Sequence, residues 1–559
     1  MHRKKRILVC GEASYLNSGF GLITYNILSR LHQTGKYEVA EFSQYGHVND
    51  QRDHIIKWRF YANAVRDDDD RSSQYKADPM NQFGKWRFER VLLDFKPDIV
   101  FSFTDYWMLE HQNLTSLRPF FHWCIEPPID SAPQKTEWID TFIQADSVLP
   151  YTDWGKKVLD VESNGKIKTI CSASPGIELD LFTPVQDKIL HRKNMSCETD
   201  INVIGTVMRN QRRKLYPDLI ATFARFLEIC KERNNEELAN KSYLYIHTSY
   251  PDVGWNLPQI IKEHGIGHKI LFTYICRHCH KPSCSFFNDA RYVCPHCNHV
   301  AAVLPSVSEG LSREQLADVY KLFDIYIQYS IAEGLAVPLL EAGACGIPTM
   351  AVDYSAMSEV VRNINGMPLK VQRMFFELES HAYRALPDNE YAAEQLYSYS
   401  IKNDAEKRAH SRKIRRETEK HYNWDNMIGK LVRHFDSIEL QNLQGKWDET
   451  PPNIRKPAPK ENIPNGLTHE QFLHWVIDNV LCDPSYKNSY DALCMLRNLN
   501  HGAVLVNRKL HPFDRDGVYD TLFNRAQRAN ECEMGRCGLK PLINEDYIVY
   551  ANMKDQINK

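Results

Sequence analysis

Two glutamates eight positions apart, Glu333 and Glu341, stand in the run Glu333-Gly-Leu-Ala-Val-Pro-Leu-Leu-Glu341-Ala-Gly-Ala-Cys-Gly-Ile-Pro348. A glycine beside the first acid and an apolar stretch through the second predict a loop that turns into a helix. Gly346 and Pro348 stop that helix, and Thr349 to Val352 resume as a strand. The loop Gly334-Leu335-Ala336 would aim backbone N–H groups at whatever lies before the helix, which suits a diphosphate. The two carboxylates can accept hydrogen bonds from sugar hydroxyls. An amphipathic helix carrying two solvated acids is the plain alternative.

Other residues carry chemistry of the same kind. Arg209-Asn-Gln-Arg-Arg-Lys214 follows a strand ending at Val207 and offers the cations that a leaving diphosphate needs. A basic helix cap is the competing reading. Gly19 and Gly21 lie in a loop before the first helix and would let backbone approach a ligand, or simply make a tight turn. Asp105 and Glu126 sit at strand ends, where either could orient or deprotonate an acceptor hydroxyl. His247 and Asp252 are placed to line a nucleotide pocket. Asp-x-Asp matches at Asp67 to Asp70 and Asp514 to Asp516 follow no buried strand and read as surface acids.

Cys276-Arg-His-Cys279 and Cys294-Pro-His-Cys297 have the spacing of a four-cysteine zinc site. Four thiolates leave no open coordination position, so the metal would be structural. His278, His280, Cys284, His296 and His299 are spare ligands, which leaves a Cys/His variant open.

The elements that must position these groups alternate strand and helix. Ile7–Cys10 is a strand, Leu22–Leu31 a helix, Val91–Asp98 a helix and turn, Ile99–Phe103 a strand and Arg118–Ile125 the next strand. A second unit opens at Ile201–Val207 and runs through a helix from Pro217 and the strand Ser242–His247. Such alternation implies parallel sheets with helices on both faces, and ligands at the carboxyl ends of the strands. Residues 445–466 carry five prolines and form a linker, and 467–559 read mainly as helices.

The chain has 559 residues, 43% hydrophobic and 25% charged, with net charge −2. That length calls for several domains. The charge gives no global basic footprint for nucleic acid, although a local groove remains open. No run approaches the ~20 apolar residues of a membrane span. The short apolar run after the basic start reads as a strand and not a signal peptide, so a cytoplasmic protein is expected, in host cytoplasm if phage-encoded. Fifteen cysteines in such a chain argue against a disulfide framework.

The Glu333 to Glu341 run resembles the E-x₇-E signature of GT-B retaining glycosyltransferases. The segment Ser174-Pro-Gly-Ile-Glu178 with Phe182-Thr-Pro184 is similar to that family's interdomain signature, departing from it in the proline position and in Glu178 for Asp. The resemblance implies two Rossmann-like domains facing a cleft: an acceptor domain over 1–185 and a donor domain over 186–444. The latter would end on a helix, Asn423 to Leu440, that crosses back, and the cysteine spacing adds a zinc-ribbon insert at 274–300 within it. It implies that Glu333 contacts the transferred sugar, that Glu341 holds the nucleotide ribose, and that Arg209 and Lys214 neutralise the diphosphate. It also implies that His122, near the end of a strand, faces the donor sugar, although a structural histidine is an equal reading. No catalytic divalent metal is implied.

The run Gly11 to Gly21, the run Met208 to Pro217 and the cysteine insert are similar to a phage- and virus-encoded branch. That branch includes 5-hydroxymethylcytosine glucosyl- and arabinosyltransferases. The resemblance thus implies transfer of arabinose or glucose from a UDP-sugar to hydroxymethylcytosine in double-stranded DNA. Two alternatives stand: a transferase building a surface polysaccharide or lipid-linked glycan, and a non-catalytic DNA- or protein-binding module.

Overall fold

A computed structural model describes residues 3–47, 50–115, 117–288, 291–306, 309–439, 457–481, 503–506, 509–512, 514–520 and 522–524. Two parallel sheets dominate. The first has strands β1 (Arg6–Glu12), β2 (Glu38–Gln44), β3 (Arg59–Ala62), β4 (Ile99–Ser102), β5 (His122–Ile125) and β6 (Ser147–Val148), in the order β3-β2-β1-β4-β5-β6. Ile7, Leu8, Val9 and Cys10 are buried on both faces, as a central parallel strand covered by helices requires.

The second sheet contains β7 (Asn202–Val207), β8 (Ser242–His247), β9 (Ile270–Cys276), β10 (Pro282–Phe286), β11 (Tyr292–Val293), β12 (Val300–Val303), β13 (Ile325–Gln328), β14 (Thr349–Val352) and β15 (Met367–Leu369). Its parallel core runs β9-β8-β7-β13-β14-β15, the same order as the first sheet. In each sheet the chain direction of progress reverses between two central neighbours: β1 and β4 in one, β7 and β13 in the other. The loops leaving those four strands diverge and open a crevice, where ligands of open α/β sheets bind.

The cysteine insert is not the separate zinc-ribbon arm expected from the sequence. Strand β9 pairs in parallel with β8 through Ile270–Phe272, and antiparallel with β10 and β12 farther along. The insert therefore extends the edge of the second sheet. A second hairpin, β16 (Val371–Glu377) and β17 (Ala382–Pro387), follows β15. No sequence pattern announced it.

The helix Trp424–Ser437 crosses back onto the first domain. Lys5 Nζ donates to the carbonyls of Phe435 at 2.6 Å and Ile438 at 2.7 Å, and Lys430 Nζ donates to Ser172 O at 2.7 Å. Phe435 packs edge-on against Phe101 of β4. After the linker, the helix His469–Val476 is followed by a hairpin of β18 (Ala503–Val506) and β19 (Lys509–Pro512), so the terminal segment is not purely helical. Within the terminal segment expected to be mainly helical, residues 482–502 lie outside the described residues.

Candidate active site

The site is built from the loops at the two reversal points. After β7 the chain turns through Met208–Leu215 and brings Lys214 beneath the loop that leaves β13. There Lys214 Nζ contacts Glu333 Oε1, and Arg213 reaches Glu333 Oε2 at 2.8 Å. Gln328 Nε2 lies 3.4 Å from Oε1. Lys214 and Glu333 are both buried, whereas the Arg213 side chain is 44% exposed. Burial, with Arg213 alongside, pushes the Lys214 amine well below its usual range.

Two strained residues shape the Glu333 loop. Ala336, immediately before the helix Val337–Ala344, has φ +67°, and Ser355, at the start of the helix Ser355–Asn363, has φ +53°. Left-handed backbone costs an L-residue roughly 1–2 kcal/mol. The Ser355 hydroxyl accepts from Glu333 N and donates to Glu333 O, each at 3.1 Å, and so fixes the acid's backbone. Gly334 is needed for space: a Cβ there would lie 2.8 Å from Cβ of Pro128 in the first domain.

Glu341 sits on the helix Val337–Ala344 and is almost wholly buried. Tyr320 Oη donates to its Oε2 at 2.6 Å, and Arg313 contacts Oε1. Arg313 also reaches Glu178 Oε2 at 2.9 Å, in the segment joining the domains. Both oxygens of Glu341 are thus already engaged.

On the first-domain side, Ser18 caps the helix Gly19–Gln33, accepting from Gly21 N at 3.0 Å and donating to Glu12. Gly19 and Gly21 are therefore first-turn residues and not loop. A Cβ on Gly21 would stand 2.6 Å from Leu16 O, while one on Gly19 would meet open space. Asp105 follows β4 in the same crevice. Burial first, then the neighbouring Asp130, raises its carboxyl to about 6. Glu126, just after β5, is fully buried with no hydrogen-bond partner on either oxygen, and burial holds it well above the ordinary range.

Of three further expected residues, one stands at the far end of its sheet and two are engaged by neighbours. His122 opens β5 instead of ending it, because Arg118–Phe120 form a 3₁₀ turn around Pro119. Its ring meets Ser147 Oγ at 2.9 Å and lies near His434 on the returning helix, at the end of the sheet away from the crevice. Arg209 forks to Asp252 at 2.8 and 3.1 Å, whereas the neighbouring Arg213 is the arginine that meets Glu333. His247 closes β8 with Nδ1 3.0 Å from Thr273 Oγ1, and burial pushes it down to about 4. Arg213, Arg313, Tyr320 and Ser355 were not singled out by spacing. Their roles come from contacts across the fold.

The ligating atoms of Cys276, Cys279, Cys294 and Cys297 lie within 4.8 Å of one another. Two Sγ pairs are 3.6 and 3.7 Å apart, close to the roughly 3.8 Å edge of a tetrahedron with ~2.3 Å zinc–sulfur bonds. The backbone N–H groups of His278 and His296 donate to the sulfurs of Cys276 and Cys294. This is a candidate metal centre at the sheet edge. His278 and His299 stack at 3.7 Å beside Cys297, which keeps a Cys/His ligand set in play. A larger cavity of about 910 Å³ lies at the opposite, amino ends of the strands, bordered by Asn202, Ile325 and Pro348, away from this chemistry.

The family described as Glycosyl transferases group 1 matches residues 306–370, the segment holding Glu333 and Glu341. No curated protein matches the chain significantly. A glycosyltransferase from Rickettsia africae ESF-5 superposes with TM-score 0.54 at 13% identity, covering 79% of this chain and 99% of that one. Sucrose-phosphate synthase (tll1590) from Thermosynechococcus elongatus gives 0.56 at 16%, covering 78% and 100%. Anabaena Alr3699/HepE in complex with UDP and glucose gives 0.53 at 12%, again covering 78% and 100%. At these identities the likeness establishes a GT-B-like fold. Together with the matched segment, it defines the class: a nucleotide-sugar-dependent glycosyltransferase. Among the described residues no helix is long and apolar enough to cross a membrane.

The Ser355 contact yields a paired prediction. Ser355→Ala should leave Glu333 N–H buried without a partner, lowering unfolding free energy by about 1–3 kcal/mol and UDP-release turnover about tenfold. Ser355→Gly removes the same hydroxyl but relieves φ, so denaturant titration should show stability partly restored while turnover stays low.

Proposed function

We propose that the chain transfers a sugar from a UDP-sugar to a hydroxyl of a neutral carbohydrate acceptor, with retention, as one step in building a glycan. The observation that carries this reading is the charge layout across the crevice. The donor side holds Arg213 and Lys214 around the single carboxylate of Glu333, an excess of positive charge suited to a diphosphate. The acceptor side carries Asp105, whose carboxyl feels the charges of Asp130 and Glu12, with Arg213 opposing them. These acids offer a phosphate backbone no partner, which weighs against the hydroxymethylcytosine-DNA acceptor expected from the sequence and favours an uncharged one. Relatives whose names refer to sucrose-phosphate synthesis and to UDP and glucose binding fit the same reading.

In this scheme the donor's anomeric C–O bond to phosphate breaks while the acceptor oxygen bonds to the same face. The departing diphosphate takes the acceptor's proton. Arg213 and Lys214, with Arg209 at the rim, stabilise the growing phosphate charge, and Glu333 holds the sugar hydroxyls. Glu341 takes the ribose by exchanging one of its present contacts. Asp105, as carboxylate, orients the acceptor hydroxyl. The four cysteines hold one structural zinc that braces the edge of the donor sheet.

Calorimetry with UDP and a transfer assay on neutral saccharides and on hydroxymethylcytosine duplex DNA test the reading together. Product on a saccharide is expected; product on DNA alone would reverse the acceptor class, and absence of UDP binding would remove the enzyme reading. Glu333→Ala and Lys214→Ala should each lower turnover about 10²-fold or more with the fold retained, by circular dichroism.

Asp105 supplies a pH prediction. Its native pKa of about 6 exceeds the ordinary 3.8, so the working carboxylate exists above about pH 6 and activity falls below it. The native state binds this proton more tightly than the unfolded chain, so the group's cost to stability grows between those values and is complete above about 6. Asp105→Asn should therefore abolish the acidic limb of the rate profile and lower activity, yet melt no lower than wild type at pH 8.

Cys276→Ser should reduce bound zinc from one per chain, by atomic absorption, and lower the melting temperature, with activity falling only as a consequence. Unchanged zinc content would remove Cys276 from the ligand set.

A further inference from the structure

The hairpin β16–β17 leans across from the donor domain to the first domain. Arg384 on β17 pairs with Asp130 at 3.0 Å and with Glu377 on β16 at 2.8 Å. Tyr383 N donates to Ala132 O at 2.9 Å, and Ala385 N donates to Ile331 O at 3.0 Å. Those contacts bury one face of the hairpin. The period of two then turns Met374, Phe376 and Tyr383 outward, and register sets Phe376 opposite Tyr383. They are 40%, 45% and 50% exposed, and the Phe376 and Tyr383 rings stand edge to face at 5.3 Å.

This outer face is not bare surface. A cavity of about 430 Å³ lies between Phe376 and His381 on the hairpin and Gln134, Lys135, Thr136 and Glu137 of the first domain. On the other side of the hairpin a cavity of about 540 Å³ is lined by Glu377, Arg384 and Arg213, and Arg213 is the residue bound to Glu333. Arg384, which lines that cavity, pairs with Asp130, whose charge acts on Asp105, so the hairpin borders the crevice where transfer would occur.

We propose that the hairpin and the 430 Å³ cavity form a saccharide subsite, which holds the inner residues of an oligosaccharide acceptor while its terminal hydroxyl enters at Asp105. This rests on the transferase reading above and names its acceptor as an oligomer. The chemistry fits a sugar ring: C–H faces pack on Phe376 and Tyr383, while amide, hydroxyl, ammonium and carboxylate groups along one wall meet the hydroxyls. Lys135 beside Glu137 leaves the wall of the 430 Å³ cavity near neutral, so it offers no cationic cluster to an anionic lipid or nucleic acid.

The test is binding of wild type and Phe376→Ala/Tyr383→Ala to an array of neutral mono- to hexasaccharides, with UDP calorimetry in parallel. The backbone bonds of Tyr383 survive the substitution, and unchanged UDP affinity shows that the fold is intact. Wild type should bind tri- to hexasaccharides more tightly than the monosaccharide, and the double variant should lose that gain, weakening at least about tenfold. Length-independent binding, no binding by wild type, or equal binding by the variant would overturn the subsite. So would a loss, in the variant, of self-association or of sedimentation with neutral phosphatidylcholine vesicles in place of glycan binding. Failure of UDP binding in wild type overturns the transferase reading instead, and the array still reports on the hairpin.

Discussion

A carboxylate can be buried between two domains only if it is paired, and Glu333 is paired twice. Taking one partner from a buried ion pair typically costs about 3–5 kcal/mol, so Glu333, Lys214 and Arg213 form a unit whose members hold one another in place. The loops after β7 and β13 meet in that contact, and the parallel sheet fixes the strands from which they spring. Two cations against one anion leave positive charge in surplus. The surplus resides chiefly on Arg213, the more exposed partner, which is where a diphosphate could use it.

That unit would be of little use on a slack loop. Ala336 and Ser355 hold left-handed conformations that cost free energy and persist because neighbouring packing determines them. Ser355 grips both backbone polar groups of Glu333, and Pro128 of the first domain leaves Gly334 no room for a side chain. Strain, a hydroxyl clamp and contact from the opposite domain act on three consecutive stretches of one short loop. The acid's position is thereby set before any donor arrives, which is the preorganisation that electrostatic catalysis requires.

The sequence exposes whatever depends on local spacing. Glu333, Glu341, Gly346 and Pro348 are legible because a loop, a helix and its stop follow one another without interruption, and the four cysteines are legible because two knuckles have fixed spacing. What depends on direction or on distant partners is not. His122 lies in a recognisable strand, but the turn at Pro119 delays that strand until His122 itself, so the ring faces the wrong end of the sheet. The resemblance selects Arg209 with Lys214, but Asp252, on another loop, engages Arg209, and it is Arg213 that meets Glu333. The run Val371 to Glu377 mixes apolar and charged residues without alternation, because one face packs on the domain and the other carries exposed aromatics, so no period betrays the strand.

Arg313 extends the same logic to the link between domains. One guanidinium contacts Glu341 on the donor side and Glu178 in the crossing segment, with its planar group over the Phe182 ring. Two carboxylates so close would repel if the cation were absent, and each is partly shielded from water, so the arginine is strongly held and its charge is firmly retained. The consequence is mechanical. A ligand that draws on Glu341 must redistribute the hydrogen bonds of Arg313, and Arg313 cannot be redistributed without altering its grip on Glu178. Glu341 and the segment about which the two domains are joined therefore share one cation, and neither can change its contacts alone.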